Sequence, residues 1–424
     1  MNGIDTSERE LLKRSNELES NVRYYSRVFP DVFHKASGSY LYNEQGKAYL
    51  DFFTGAGALN YGHNHPILKA ALLDYLAQDG VIHSLDMSTP PHIQFIIDFH
   101  EKILKPRNLE YKIQFTGPTG ANAIEAALKL ARKYTKRTDI IYFSDSYHGL
   151  SLGALSVSHL KTQKDNIHIT FPHTQMLSYD IRGETEFLLK QTQEMIEKLP
   201  QEKLPAAIIL ETVQGQGGIN SASDLWLEGI ARIAKKWGIL LIVDDIQAGC
   251  GRTGRFFSFE QSKIHPDIVC LSKSLSGYGL PLSIMLLKPE LDVWYSGEHT
   301  GTFRSNNLAL VSGTKAIQFW LDEPFKQNLK HNVHVLDDRL QGILEKYPGN
   351  GMHIKGRGLI RGIAWSSKTL AKNVSQAVFS KGLIAEAVGR EDGVLKIMPP
   401  LLISIDDIQK GMDIIEVCIK EIVT

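Results

Sequence analysis

Cysteine is scarce in this 424-residue chain: Cys250, Cys270 and Cys418 are all there is, and no two of them have metal-ligand spacing. A reduced, cytoplasmic setting fits that usage, and no metal site is expected. Net charge is absent too. Lys+Arg and Asp+Glu each number 47, which argues against a dedicated nucleic-acid binder and lacks the acidic surplus of a protein adapted to multimolar salt. No run approaches the roughly 20 apolar residues of a membrane span. The opening "MNGIDTSERELLKRSNELES" is polar and helical in rhythm, without an apolar signal core. Internal repeats, low-complexity segments and Pro/Gly/Ser-rich linkers are missing. So is a Walker-type phosphate loop, because no glycine-rich stretch carries the required Lys-Ser/Thr pair.

What remains is an ordinary globular composition, 43% apolar and 22% charged. The length allows two or three domains at roughly 100–200 residues each. "GSYLYNEQGKAYLDFF" reads as a hairpin around "NEQGK". From residue 61 to 323 short apolar runs ("IIYFS", "AAIILET", "ILLIVDD", "DIVCLSK", "LSIMLLK") alternate with helical stretches such as "DLWLEGIARIAKKWG". That alternation predicts an α/β domain with a mostly parallel sheet covered by helices. Residues 324–424 change character and predict a smaller α+β domain, which the N-terminal segment 1–60 helps to complete.

Ligands of parallel α/β sheets bind at the carboxyl ends of strands. Four charged groups fall there. "ILLIVDDIQAGCGRTG" ends an apolar run in Asp244 and Asp245, and two charges in such a setting cost several kcal/mol each unless paired. Lys273 follows the next run and Glu211 an earlier one. Burial lowers a lysine's pKa and makes its amine a nucleophile toward a carbonyl. "FTGPTGANAIEAALKLARK" places Gly120 and Ala121 at the start of a strong helix, whose free N–H groups suit a phosphate. Tyr147 and His148 lie just past another strand, where an aromatic ring can stack on a planar group. For any one of these residues alone, core packing or a snorkelling surface lysine is the commoner explanation. Together they offer a phosphate cradle, a stacking ring, an acid and a lysine, the four things pyridoxal phosphate needs. Asp244 would hold the ring nitrogen. Asp245 points to the opposite side of the strand and is expected to be structural, with Arg252 as its partner. Gln247 is placed to reach the ring's phenolic oxygen.

"DDIQAGCGRTG" with the later Lys273 resembles the class III aminotransferases, pyridoxal-phosphate enzymes of fold type I. "LDFFTGAGALNYGHNHP", "TGANAIEAALKLAR", "SYHG", "ETVQGQGG", "GTFRSNNLA" and "MPPLLIS" extend the resemblance over almost the whole chain. It implies a seven-stranded, mostly parallel sheet in the large domain and a homodimer or higher homo-oligomer with shared sites. It also implies cofactor contacts from Gly120, Ala121, Tyr147, His148 and Gln247, with Thr302 reaching the phosphate of a neighbouring subunit. Lys273, Asp244 and Glu211 would be catalytic, Glu211 as a gating acid that with Lys396 also binds substrate. The family's carboxylate-binding arginine is replaced by Lys396 in "VLKIMPP", which predicts a looser lysine–glutamate pair with Glu211. A lysine offers no bidentate fork. "VRYYSRVFP" and "SGEHTGTFRSNNLA" are similar to a subgroup that uses L-2,4-diaminobutyrate as amine donor and 2-oxoglutarate as acceptor, in ectoine, siderophore, polyamine or peptide-antibiotic routes. Rival expectations are an ω-aminotransferase for 4-aminobutyrate, ornithine or putrescine, a racemase or decarboxylase, and a non-enzymatic binding protein.

Overall fold

The computed structural model describes residues 6–367 and 369–423. The first five residues of the polar opening stretch lie outside the described residues. Three short strands come early, β1 (Phe33–Ser37), β2 (Tyr40–Asn43) and β3 (Ala48–Asp51). They pair antiparallel in sequence order. The β2–β3 turn is the "NEQGK" segment, closed by Lys47 N–H donating to Asn43 Oδ1 at 2.8 Å, with Gly46 at φ +79°. That left-handed φ is where glycine is favoured.

Nine more strands follow: β4 (Lys112–Gly117), β5 (Ile140–Phe143), β6 (Thr174–Leu177), β7 (Ala207–Leu210), β8 (Val213–Gln214), β9 (Asn220–Ser221), β10 (Leu240–Asp244), β11 (Ile268–Leu271) and β12 (Ser283–Leu287). Seven of them build one sheet in the order β4-β12-β11-β10-β7-β5-β6. β11, β10, β7, β5 and β6 are mutually parallel. Every residue of β5, β7, β10, β11 and β12 is buried. Helices on both faces remove the solvent side, which is why these strands read as unbroken apolar runs rather than alternating ones. β12 runs antiparallel to both neighbours. The link from β11 (residues 272–282) holds one 3₁₀ turn and no crossover helix, too little chain to return a strand in the parallel sense.

The helix Asp224–Trp237 shows how the layers lock. Ser223 caps it by accepting the N–H of Trp226 at 3.2 Å, and Gly238 ends it in the left-handed region. Its buried stripe, Trp226, Leu227, Ile230, Ile233 and Ala234, has helical spacing and faces the core. Trp226 itself packs edge-on against Phe143 of β5 at 4.7 Å between ring centres.

The C-terminal part carries β13 (His353–Arg357), β14 (Ile360–Ala364), β15 (Leu383–Ile384), β16 (Ala387–Val388) and β17 (Val394–Ile397). β13-β14-β17-β16 form an antiparallel sheet, whereas β15 leaves it to pair in parallel with β3. The chain's two ends are therefore joined by backbone hydrogen bonds. Arg252, fully buried, sits where both ends meet the central part. Its guanidinium donates to the carbonyls of Leu359 (3.1 Å) and Pro399 and to side-chain oxygens of Thr54 (3.3 Å) and Asn60. Among the described residues, no helix is long and apolar enough to cross a membrane.

Candidate active site

β7, β10 and β11 all end on one side of the sheet, and their carboxyl ends open into a cavity of about 260 Å³. Asp244 closes β10 and Lys273 stands two residues beyond β11, so the parallel register brings acid and amine to the same wall. The start of the helix Gly120–Thr135 supplies Gly120 and Ala121 to another wall. Tyr147, His148, Glu211 and Gln247 complete it. A larger cleft of about 620 Å³ lies at the far end of the sheet, around Lys235, Lys263 and Lys288. It touches the start of β10 rather than its end and gathers none of these groups, so size alone does not locate the site.

Asp244 is 5% exposed, with one hydrogen-bond partner on each oxygen. Its Oδ2 meets His148 Nδ1 at 2.7 Å and its Oδ1 accepts the N–H of Ile246 at 3.1 Å. Burial pushes the His148 imidazole toward the neutral form, but the hydrogen bond and charge of Asp244 outweigh it, and its pKa is raised. Asp245 lies on the other side of the strand, fully buried. Its Oδ2 accepts the N–H of Ser258 at 3.1 Å, and burial pushes its carboxyl up to about 7. The expected partner Arg252 is not there, because that side chain is committed to the hub described above. Strand alternation set the side on which Asp245 lies and left its partner open.

Lys273 begins a one-turn 3₁₀ helix at φ +50°, a left-handed conformation that costs a lysine about 1–3 kcal/mol and is tolerated mainly at functional positions. Burial, then the charge of Lys396, lowers its amine to about 8, against the pull of Asp244, Glu211 and Glu386. Among the described residues, Glu211 faces no cation at hydrogen-bond distance. Its two oxygens accept the N–H groups of Tyr147 (2.9 Å) and Gly215 (3.2 Å), and burial raises its pKa. The lysine–glutamate pair expected between Lys396 and Glu211 is accordingly replaced by another. Lys396 Nζ donates to Glu386 Oε2 at 3.2 Å and to Gln216 Oε1 at 3.4 Å. Register explains the choice: Lys396 N–H also donates to the Glu386 carbonyl at 2.8 Å, beside the antiparallel β16–β17 pair. Glu386 was missed in the sequence, although "LIAEAV" showed the same signal as "IVDD", a charge inside an apolar run. Thr302 is exposed, accepts a hydrogen bond from His83 on its carbonyl at 2.9 Å, and forms no part of its own chain's cavity.

The residues present fit pyridoxal phosphate. Gln247 is fixed through Nε2 on the Ala56 carbonyl at 2.7 Å, while its Oε1 is buried without a partner among the described residues. That acceptor on the cavity wall suits a ring hydroxyl. The first helical turn leaves N–H groups without intrahelical acceptors at Gly120 and Ala121. Crowding there is tight: a Cβ on Gly120 would lie 2.8 Å from Ile246, and one on Gly149 (φ +128°) 2.9 Å from the Ala121 methyl.

Comparison with known proteins agrees with this geometry. The family profile "Aminotransferase class-III" matches residues 23–419. The chain is 49% identical to a diaminobutyrate–2-oxoglutarate transaminase of Halalkalibacterium halodurans, covering 96% of each chain. It is 48% identical to that of Oceanobacillus iheyensis, with 95% of each covered. A protein of the same name from Wolinella succinogenes is 47% identical, over 96% of this chain and 95% of the relative. Among solved structures, ornithine aminotransferase from Toxoplasma gondii superposes with a TM-score of 0.87 at 24% identity, covering 99% of this chain and 96% of that one. A Bacillus anthracis aminotransferase gives 0.88 at 23%, covering 99% and 100%. At those identities the superpositions establish the fold, fold-type I of the α/β class.

Two predictions follow from the geometry of the walls. Asp244→Asn removes the charge facing the cavity and should lower kcat at least about 100-fold, in the range of a lost electrostatic contact to the reacting centre. Asp245→Asn should leave kcat within a few-fold and act on the urea midpoint instead. Single-turnover kinetics and denaturation on both variants decide, and the opposite pattern would mean that the strand faces the other way. For Lys273, a lowered pKa means that the neutral amine accumulates at lower pH. In protein stripped of cofactor, acylation of Lys273 followed by peptide mass mapping should reach half its limiting rate near pH 8. Half-maximal labelling near 10.5, the value of a solvated lysine, would contradict the desolvated setting.

Proposed function

Because the chain belongs to the class III aminotransferases, we propose that it moves the ω-amino group of L-2,4-diaminobutyrate to 2-oxoglutarate, giving L-aspartate 4-semialdehyde and L-glutamate. The observation that carries the reading is the convergence of Lys273, Asp244 and the Gly120–Ala121 helix start on one cavity. The full-length relatives named for that reaction support the substrates. Pyridoxal phosphate, the cofactor of the family, supplies an electron sink when bound.

The protein's own part can be derived from its residues. Gly120 and Ala121 would hold the phosphate, Tyr147 would cover the ring face and Gln247 would meet the ring hydroxyl. Asp244 keeps oxygen lone pairs beyond those used by His148 and Ile246, since a carboxylate offers about four acceptor sites. It can therefore hold a proton on the ring nitrogen by a charge-assisted bond. Lys273 would anchor the cofactor. Its Nζ would be the group placed to take a proton from the substrate's reacting carbon and to give one back, as base and then acid. An amine at about 8 suits both directions near neutral pH. Glu211 takes no proton-transfer role here. It holds the Tyr147 and Gly215 backbones that shape the wall.

Thr302 is assigned to the phosphate end of a second copy's cavity, in a homodimer. Its exposure and its absence from its own cavity's lining support this, as does a loop (residues 297–306) without a helix or strand of its own.

Incubation with L-2,4-diaminobutyrate and 2-oxoglutarate should yield glutamate and an aldehyde in equal amounts, detected by chromatography and by trapping. Faster turnover of ornithine, 4-aminobutyrate or putrescine would move the substrate assignment to another amine. Thr302→Val should weaken cofactor retention about tenfold, as expected for losing a hydrogen bond to a charged group, and dilution to monomers should do the same. An isolated monomer that retains its cofactor fully would refute the shared site.

A further inference from the structure

Lys273 stays in a left-handed conformation at the cavity wall, which nothing in its own side chain favours. Serines on either side hold it. Ser272 Oγ donates to the Leu282 carbonyl at 2.8 Å, within the same link. Ser274, 3% exposed, reaches much further. Its Oγ donates to the Gly57 carbonyl at 2.6 Å and accepts the Asn60 N–H at 3.1 Å, partners 217 and 214 positions away in the chain. Asn60 is fixed in turn, through Nδ2 on the Cys250 carbonyl at 2.9 Å and through Oδ1 on the Arg252 guanidinium.

The segment that receives Ser274 is itself strained. Thr54, Gly55, Ala56 and Gly57 follow one another at φ +51°, +57°, +56° and +88°, and two of the four are not glycine. Such a run persists only where its surroundings over-determine it. Here they do. Asp51 Oδ1 accepts the N–H groups of Phe53 and Thr54, each at 2.8 Å, and its Oδ2 meets His63 Nε2 at 2.7 Å. Thr54 Oγ1 donates to the Met398 carbonyl at 3.1 Å and accepts from Arg252 at 3.3 Å. Asp51 and Asn60 are 1% exposed and Thr54 is fully buried, so water does not compete for these bonds. Two successive carbonyls of this turn are spent on the cavity's residues. That of Ala56 accepts Gln247 Nε2 at 2.7 Å, and that of Gly57 accepts Ser274 Oγ.

We infer that Ser274 is a positioning residue: it fastens the Lys273 turn to the left-handed turn Thr54–Gly57 and so fixes where the reacting amine stands. This rests on the reading of Lys273 as the amine that serves the cofactor, and adds the contact that keeps it in place. Ser274 is not among the residues that line the cavity, so its effect passes through its neighbour. A serine that merely fills the interior is a separable case, because the amine reports its own surroundings. Burial and the Lys396 charge lower Lys273, and both effects weaken if the amine moves toward water.

The test is Ser274→Ala. In protein stripped of cofactor, the acylation midpoint of Lys273 should rise from near pH 8, toward the 10.5 of a solvated lysine, by about one pH unit or more. In the holoenzyme, with diaminobutyrate and 2-oxoglutarate, kcat should fall about 10- to 100-fold, the order for a misplaced reacting group. KM for the donor should stay within about twofold, since no substrate contact is removed. Ser262→Ala is the control. Ser262 is fully buried, its Oγ donates to the Phe259 carbonyl at 2.9 Å, and it is not a lining residue of the cavity. Loss of that hydroxyl should lower the urea midpoint and leave the labelling midpoint of Lys273 near pH 8. An unchanged labelling midpoint in Ser274→Ala would overturn the positioning role, whatever the turnover. An equal shift in both variants would overturn it too, because it would mean a general loosening of the interior. Labelling needs no substrate. If the wild type turns over another amine in place of diaminobutyrate, the substrate reading falls, and the labelling midpoints still decide the role of Ser274.

Discussion

The hydrogen bond between His148 Nδ1 and Asp244 Oδ2 decides most of what surrounds it. A carboxylate at the end of a fully buried strand stays ionised only if donors replace water. His148 and the Ile246 N–H do so. His148 must then be held in turn, and its own backbone N–H donates to Ser158 Oγ at 2.8 Å, with Ser158 anchored on the Ala154 carbonyl at 2.9 Å. Glu211 accepts the neighbouring Tyr147 N–H. The loop after β5 is thus shaped to deliver one imidazole, and Tyr147 is placed over the cavity as a consequence. Because that loop passes against the helix start at Ala121, Gly149 has to be a glycine.

Adjacent acids in one strand need two different solutions. Asp244 is met by a donor on each oxygen, His148 Nδ1 on one and the Ile246 N–H on the other. Asp245, with one backbone donor to its carboxyl and an unpartnered Oδ1, is pushed toward the protonated form instead. Alternation across the strand keeps the two apart and gives each its own environment. Only one of them can then act as a permanent negative charge at the cavity, and the fold, rather than the residue type, selects which.

The large sheet was legible because burial on both faces leaves continuous apolar runs, and the site because charges interrupt those runs at their carboxyl ends. Edge strands were less so. β6 ("TQML") and β4 ("KIQFTG") carry polar residues with partly exposed positions, and neither shows the unbroken run that marks the interior. Strand direction was also hidden: nothing in "LSIMLLK" tells that β12 runs against its neighbours, which the short link from β11 dictates. Side-chain partners were the least legible. Asp245–Arg252 and Lys396–Glu211 are the pairs the pattern suggests, and in neither do the side chains meet at hydrogen-bond distance. Arg252 is taken by Leu359, Pro399, Thr54 and Asn60, and Lys396 by Glu386, ten residues before it. Pairing of that kind depends on register in a small antiparallel sheet, which apolar pattern alone does not set when its strands are as short as β16.

A lysine at position 396 makes sense once its neighbours are known. A guanidinium there would demand a planar, two-pronged acceptor and would hold one carboxylate firmly. An ammonium is a point charge, and this one divides its donors between Glu386 and Gln216 without a fixed plane. Glu386 beside it keeps that cation from standing unpaired among buried residues.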